Sequence, residues 1–563
     1  MKKLLSIVSF ALVASACQTP NTPLKPQKTA STPDFSAVTI VHNGSIYTVD
    51  KAQPKVEAFA YQGDKIIALG STDSLFNRFP NSIKNDLKGA TVVPGLIDAH
   101  GHLLGLGQGL MNTDLMGTRS KAEIIDRLKL QADTLINGQW LLGRGWDQND
   151  WPIKELPTAA DLDRHFPDRP VWLERVDGHA NWGNSLAMSA ASKNLNGDWQ
   201  PEGGEVVRDI HKVATGVFID NAVNLIKKHV PTATDAEMEE ALNRAMSKTA
   251  SVGLTAMHDA GTSLHTWTLL QQKQADNTLN IRVYAMADGA SNMLENLCTE
   301  GPVIDQTSML TARSVKLYSD GALGSRGAAL LAPYSDAPNN IGLLIESEET
   351  LKRHADKASK CGLQVNIHAI GDRGNRVTLN VLDSIKTNSN PGRHRIEHSQ
   401  VIAPPDFERF KALNLIASVQ PTHATSDMYW AEERIGSERI KGAYAWQRFI
   451  KLGIPIALGS DFPVERPSPI PGFFAAIARK DAQGWPNQGW HSDQRLTREE
   501  ALYGFTQGAA YAAFQENTIG SISKGKYADF VILSNDIMSV PEAEILSTEI
   551  IATYLNGRII YKQ

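Results

Sequence analysis

Cysteine is scarce: Cys17, Cys298 and Cys361 are the only three in 563 residues. So few thiols exclude a small disulfide scaffold. A core of the size this chain can build needs no covalent staple, so Cys298 and Cys361 are expected as free buried thiols. Basic runs are missing as well. The formal net charge is −5, and loss of residues 1–16 with Lys2 and Lys3 makes it two units more negative. Nucleic-acid binding therefore has no electrostatic support. What the chain does have is 42% hydrophobic residues, enough to bury a large core and too much for a disordered or fibrous protein. Its length exceeds one typical domain, which predicts a main domain with additions.

The N-terminus, "MKKLLSIVSFALVASAC", places two lysines before the apolar stretch Leu4 to Val13 and the small residues Ala14-Ser15-Ala16. That is a signal peptide over residues 1–16, too short to span a bilayer. Cys17, directly after it, resembles the lipidated cysteine of a bacterial lipoprotein and is the expected lipid anchor. Ala14 stands where a larger aliphatic residue is usual, which leaves ordinary secretion as the alternative. Residues 17–36 are rich in Pro, Thr and Lys and suit a flexible tether. Gln18 stands where an aspartate would retain the protein at the inner membrane, so the expected location is the periplasm, tethered to the outer membrane.

Both ends of the remaining chain read as short strands. Asn43-Gly44 between β-branched runs predicts a tight hairpin, Gly63-Asp64 a second, and Asn556-Gly557 a third near the C-terminus. The economical arrangement is one small β domain assembled from residues 37–91 and 511–563, with a larger domain, 92–510, inserted between them.

That middle alternates buried-strand runs with helical stretches, the pattern of a parallel sheet covered by helices. Eight runs stand out: "TVVPGLIDAHGH", "GLTAMHDAG", "IRVYAMADG", "VKLYSDG", "LQVNIHAIGD", "HRIEHSQ", "LIASVQPTH" and "IPIALGSDFPV". With 110–250 set aside as an insertion after the first strand, about 280 positions remain, close to the roughly 250 of a (β/α)8 barrel. In such barrels chemistry sits where the strands end.

Those ends carry His100 and His102 on the first strand, His258-Asp259 on the second, Lys316 on the fourth, His368 on the fifth, His398 on the sixth and Asp461 on the eighth. Alternate residues of a strand share a face, so His100 and His102 can converge on one point. Ionisable groups gathered at one pole cost desolvation unless they share a purpose, and a metal centre supplies one. Nitrogen-rich donors favour zinc or a similar cation over calcium or magnesium. Each residue also has a structural reading: strand closure for His100 and His102, an ion pair with Asp320 for Lys316, core hydrogen bonding for His368 and His398, and helix capping for Asp461.

Taken together, "PGLIDAHGH", "VKLYSDGALGSR", "NIHAIGD", "IEHSQ", "ALGSDFPVE" and "GSISKGKYADFVIL" resemble the amidohydrolase superfamily, in the branch that includes N-substituted formamide deformylases. The resemblance implies an α/β fold, a distorted (β/α)8 TIM barrel with a small β-sandwich. It implies His100 and His102 as ligands of one divalent metal, His368 and His398 as ligands of a second, and Lys316 as a carbamate bridging both. Asp461 would be the last ligand and the proton acceptor. Two such ions bring a water's pKa from 15.7 to about 7, and the implied reaction is hydrolysis of a non-peptide C–N bond.

Weaker candidates complete the reading. His258, Arg326, His423 and Gln420 lie near the same pole as substrate-binding or supporting groups. Asp177-Gly178-His179 and Trp146-Asp147 belong to 110–250, where they could form a lid, with His179 a further substrate contact. The expected partner is a small amide-type molecule, with membrane contact through the lipid anchor alone; a homo-oligomer stays open. Two other functions compete: a one-metal, deaminase-like hydrolase, and a tethered periplasmic protein that binds without catalysis.

Overall fold

The structure, a computed structural model, describes residues 37–136, 138–386 and 392–563; the signal peptide, the tether and Cys17 lie outside the described residues. Eight parallel strands form the centre of the molecule: β1 (Leu96–Gly101), β2 (Leu254–Thr262), β3 (Arg282–Asp288), β4 (Leu310–Tyr318), β5 (Gln364–Ala369), β6 (Arg395–His398), β7 (Ile416–Val419) and β8 (Ile456–Leu458). They lie in sequential order within one sheet. All eight contain residues read from the sequence as buried-strand runs.

The sheet bends until its ends meet. Past β8 the chain forms a parallel bridge from Phe462 to Gly101, Asp461 N donates to His100 O at 2.7 Å, and His102 N donates to Phe462 O at 2.7 Å. Asp98 on β1 fastens the seam by accepting from Ser460 N at 3.0 Å and Ser460 Oγ at 2.6 Å. Closure thus depends on the segment that carries Asp461.

Two features of the N-terminal strands depart from the sequence reading. The run Thr91 to Ile97 is not one barrel strand. Thr91–Pro94 belongs to the sheet of the chain ends, between Val38–Tyr47 and Phe530–Leu533, and Gly95 separates it from β1. The sequence boundary at residue 92 therefore falls inside a strand. Asn43-Gly44 also makes no hairpin: Val38–Tyr47 is a single strand with an irregularity between His42 and Ile46. There its parallel partner changes from Ile83–Asp86 to Thr91–Pro94, and the connecting turn packs so close that a Cβ on Gly44 would lie 2.2 Å from Ala90 O. The glycine is needed for close approach rather than for a chain reversal. The turns at Gly63-Asp64 and Asn556-Gly557 do join antiparallel pairs, and residues from both ends form one sheet.

Between β1 and β2, strands from Thr113–Asp114 to Ala214–Asp220 form a separate six-stranded sheet with its own core around Trp146, Leu173, Trp182 and Val217. The final part of 110–250 behaves differently. Helix Asp235–Ser251, opened by a capping box at Thr234, buries Leu242, Ala245 and Met246 in the main core beside Leu254 and Leu103, so it is a barrel-covering helix.

Cys298 and Cys361 are joined in a disulfide across 63 residues, not free thiols as the sequence suggested. They end consecutive covering helices, Asn292–Glu300 and Glu348–Lys360, which flank β4; size alone was a poor guide, because packing of these helices over adjoining strands brings their ends together. No helix among the described residues is long and apolar enough to cross a membrane.

Candidate active site

The side chains at the strand ends converge. One oxygen of Asp461 and one nitrogen each from His100 and His398 lie within 4.8 Å of one another, and all three residues are buried. The His100 ring is 4.8 Å from that of His398, which is 4.5 Å from that of His368. Lys316 Nζ lies 3.1 Å from His100 Nε2. His102, at the end of β1, is the more open member, its side chain one-third exposed, with Nε2 3.2 Å from Asp461 Oδ1. The six residues expected as a metal set are thus gathered at one mouth of the barrel. Asp461 and His398 hold φ values of 61° and 72°, in the left-handed region that costs a non-glycine residue about 1–3 kcal/mol. Both conformations turn a side chain from the end of its strand into the mouth.

Burial dominates the electrostatics. It lowers the His100 imidazole to about 4, with Lys316 adding to the effect, and holds His368 and His398 well below the usual histidine range. It also pulls the Lys316 amine down to about 8, against Glu397 and Asp461. Asp461 moves the other way: burial would raise it, but His100, His102 and His398 hold it well below the usual carboxylate range. Neutral imidazoles, a weakened ammonium and an ionised carboxylate make a donor set ready for a cation.

Two orphaned polar atoms support such a cation. His368 Nε2 is buried with no hydrogen-bond partner, and Asp461 Oδ1 makes no hydrogen bond although two imidazole nitrogens approach it. Buried polar atoms without partners cost free energy; divalent ions at the mouth would supply a partner to each. The mixed nitrogen and oxygen donors suit zinc-like ions.

Beneath the mouth lies a layer that the sequence reading did not identify. Glu397, fully buried on β6, accepts from His100 Nδ1, leaving Nε2 free to face the centre. Arg395 Nε lies 2.7 Å from Glu397 Oε1, and its Nη1 is 2.9 Å from His258 Nδ1. Arg395 and His100 together hold Glu397 far below its usual range against the effect of burial. The alternation of charged residues in "RIEH" was the available signal: in a strand otherwise buried on both faces, Arg395 and Glu397 share one side.

The weaker candidates divide. His179 and His423 line the cavity; His423 Nε2 lies 3.8 Å from Asp461 Oδ2. His258 does not reach the cavity and instead contacts Arg395, because its strand position points into the barrel interior. Arg326 is a correction too: it turns outward to pair with Asp336 at 2.8 Å and lines no part of the cavity. Gln420 sits behind His398, accepting from its Nδ1 at 2.8 Å. Asp320 does not pair with Lys316; it accepts from the backbone N–H groups of Ala329, Ile370 and Gly371 and holds the loop after β4. Asp147 and Asp177 both line the cavity and both grip the buried Arg175.

The cavity above the six residues has a volume of about 1290 Å³, and the separate sheet forms one of its walls with Trp140, Leu142 and Trp172. That is space for a small molecule, with the ionisable cluster at its floor.

Comparison with known proteins gives a consistent picture. The sequence profile of the Amidohydrolase family matches residues 85–561. The YtcJ protein of Bacillus subtilis (strain 168) is 33% identical over 537 residues, covering 93% of this chain and 99% of that protein. N-substituted formamide deformylase of Arthrobacter pascens is 24% identical over 543 residues, covering 93% and 98%. Among solved structures, a metal-dependent hydrolase from Pyrococcus horikoshii superposes with a TM-score of 0.73 at 30% identity, covering 90% of this chain and 99% of that one.

Proposed function

The chain belongs to the amidohydrolase family, and from that premise we propose that this metal-dependent hydrolase cleaves a non-peptide C–N bond in a small amide, formamide or cyclic amide. One observation carries the reading: His100, His398 and Asp461 bring three ligand atoms within 4.8 Å at the floor of a cavity. The kinship with a formamide deformylase supports the choice of bond.

His100 and His102 would hold one divalent ion, zinc by its donor preference, and His368 and His398 a second. Lys316 as a carbamate would bridge them, and Asp461 would complete the set. Bound there, such ions supply Lewis acidity and lower a water's pKa to about 7. The remaining work belongs to the chain. Asp461 takes the water's proton on a carboxylate oxygen. Glu397 keeps the His100 ring turned so that Nε2 faces the centre. The cavity walls hold the substrate and limit the water that enters.

Metal analysis combined with a panel of N-formyl, N-acyl and cyclic amides tests this. Close to two metal equivalents with turnover supports it. One equivalent favours the mononuclear, deaminase-like reading, for which the compact His100–His398–Asp461 group and the 3.1 Å approach of Lys316 Nζ to His100 Nε2 speak. None favours a binding lipoprotein without catalysis.

We also propose export to the periplasm with a lipid on Cys17. The Cys298–Cys361 bridge supports an oxidising compartment. Cys17→Ser should then move the protein from the membrane to the soluble periplasmic fraction, and unchanged fractionation would count against the anchor.

A further inference from the structure

The separate sheet brings an imidazole to the metal-ligand cluster in a way that the proposed chemistry above does not use. His179 follows the turn Asp177-Gly178, which is tied down by the Asp177–Arg175 pair and by His179 N donating to Asp177 Oδ1 at 3.1 Å. Its ring lies 5.1 Å from that of His368 and lines the cavity. From His179 the rings of His368 and His398 lead across to His100, beside Asp461. His179 therefore joins, through His368, the same cluster of rings that Asp461 adjoins.

The His179 ring is held with unusual care. Asp220, fully buried, accepts from Nδ1 at 2.6 Å, and Asp220 N donates to His179 O at 2.8 Å. Asp220 adopts φ 49° and ψ −126°, a conformation that non-glycine residues avoid. Its second oxygen, Oδ2, is buried and makes no hydrogen bond. Around it pass Gly321 and Gly327 of the loop after β4, so close that a Cβ on either would lie 2.5 or 2.6 Å from Oδ2. A Cβ at either position would have to push the carboxylate aside, so glycine at both lets the loop close over it. A strained residue, a carboxylate with one unsatisfied oxygen and two closely packed glycines are more than a wall of the cavity requires. They make sense if the orientation of one imidazole matters to the reaction.

We propose that His179 is a catalytic residue supplied by the separate sheet: through Nε2 it contacts the scissile amide and passes a proton to the leaving nitrogen, while Asp220 is its positioning residue. The inference rests on the C–N hydrolysis proposed above. One water proton goes to Asp461, the water oxygen bonds to the carbonyl carbon, and the electron pair of the breaking C–N bond stays on nitrogen. Nitrogen takes its proton from His179 Nε2, the ring recovers one from Asp461 through solvent, and the products are a carboxylic acid and an amine. The carboxylate of Asp220 balances the ring's positive charge while it carries the proton.

The test uses two substrates that differ in how much the leaving nitrogen needs a proton: N-butylformamide, whose amine leaves poorly, and 4-nitroformanilide, whose anion leaves readily. In His179→Gln, kcat for N-butylformamide should fall by about 10²–10⁴-fold, while the loss for 4-nitroformanilide stays under about tenfold. Metal content and KM should be unchanged. Asp220→Asn should follow the same substrate pattern with a smaller loss, and added imidazole should restore part of the N-butylformamide rate to His179→Gly. Equal losses on both substrates, or metal lost together with activity, would overturn the proposal, the second outcome making His179 a ligand. Should the unaltered protein hydrolyse neither compound nor any amide of the panel, the C–N reading itself fails and this inference with it. Turnover by the unaltered protein with kcat spared in His179→Gln overturns this inference alone.

Discussion

Replacing Glu397 by Gln changes no volume and removes one charge from the layer beneath the candidate centre. In the structure the carboxylate accepts a hydrogen bond from His100 Nδ1 on one oxygen and faces Arg395 Nε at 2.7 Å on the other. A carboxamide has one accepting oxygen and one NH2 group. Whichever way it is turned, one of these two donors meets another donor. If the NH2 group faces His100, the ring loses the contact that keeps Nε2 toward the cavity; removal of such a partner lowers metal affinity by about 10–100-fold, or about 1.4–2.7 kcal/mol. In either orientation Arg395, a guanidinium with no solvent exposure, is left with neutral partners alone: the carboxamide, His258, Ala99 O and Ser418 Oγ. Breaking a buried pair in this way costs about 3–5 kcal/mol. Glu397→Gln should therefore show weaker metal retention against a competing chelator and a lower melting temperature in metal-free protein. Unaltered values for both would refute the argument that Glu397 orients His100 and neutralises Arg395.

Asp461→Asn keeps an oxygen donor but not the proton acceptor, so metal content should persist while kcat falls by about 10²–10⁴-fold; near-normal turnover removes Asp461 from the proton path. Cys298→Ser opens a link across 63 residues, which should cost about 2–4 kcal/mol, read as earlier thermal unfolding with activity retained below the transition. An unchanged melting curve would mean that the bridge adds nothing. Folding raises the His179 imidazole to about 9, Asp220 outweighing the opposing effect of burial. Its stabilising contribution is then complete below pH 6.5, the ordinary histidine value, and is lost as pH rises through about 9. The gap in melting temperature between the unaltered protein and His179→Gln should be widest near pH 6 and close by pH 10; a gap independent of pH would contradict this.

The strands of the barrel were legible because each is a short buried run with a marked end, a property of neighbouring residues along the chain. The same holds for His100, His102, His368, His398 and Asp461, which stand at or beside the end of an apolar run, and for Lys316, two residues before one, so their common pole followed from the strand pattern. Arg326 and His258 were read at the same pole and still do not reach the cavity. His258 sits in the middle of β2, where its side chain points down into the barrel, and Arg326 lies in the loop after β4, whose course turns it outward to Asp336. Asn43-Gly44 misled for a related reason: a glycine required by a neighbouring segment looks, in sequence, like one required by a turn.

Residues close in sequence thus determined the alternation of strand and helix and the chemistry available at the strand ends. Tertiary structure alone decided the Cys298–Cys361 bridge, the split of Thr91 to Ile97 between two sheets, the support of His100 by Glu397 and the placing of Asp220 behind His179. The three contacts join segments whose separation in the chain carries no local pattern: closing the barrel sets Glu397 against His100, pairing within the separate sheet sets Asp220 behind His179, and packing of consecutive covering helices brings the cysteines together. Local propensity and periodicity act over a turn or a strand, while contact across the mouth of a barrel depends on how every strand packs.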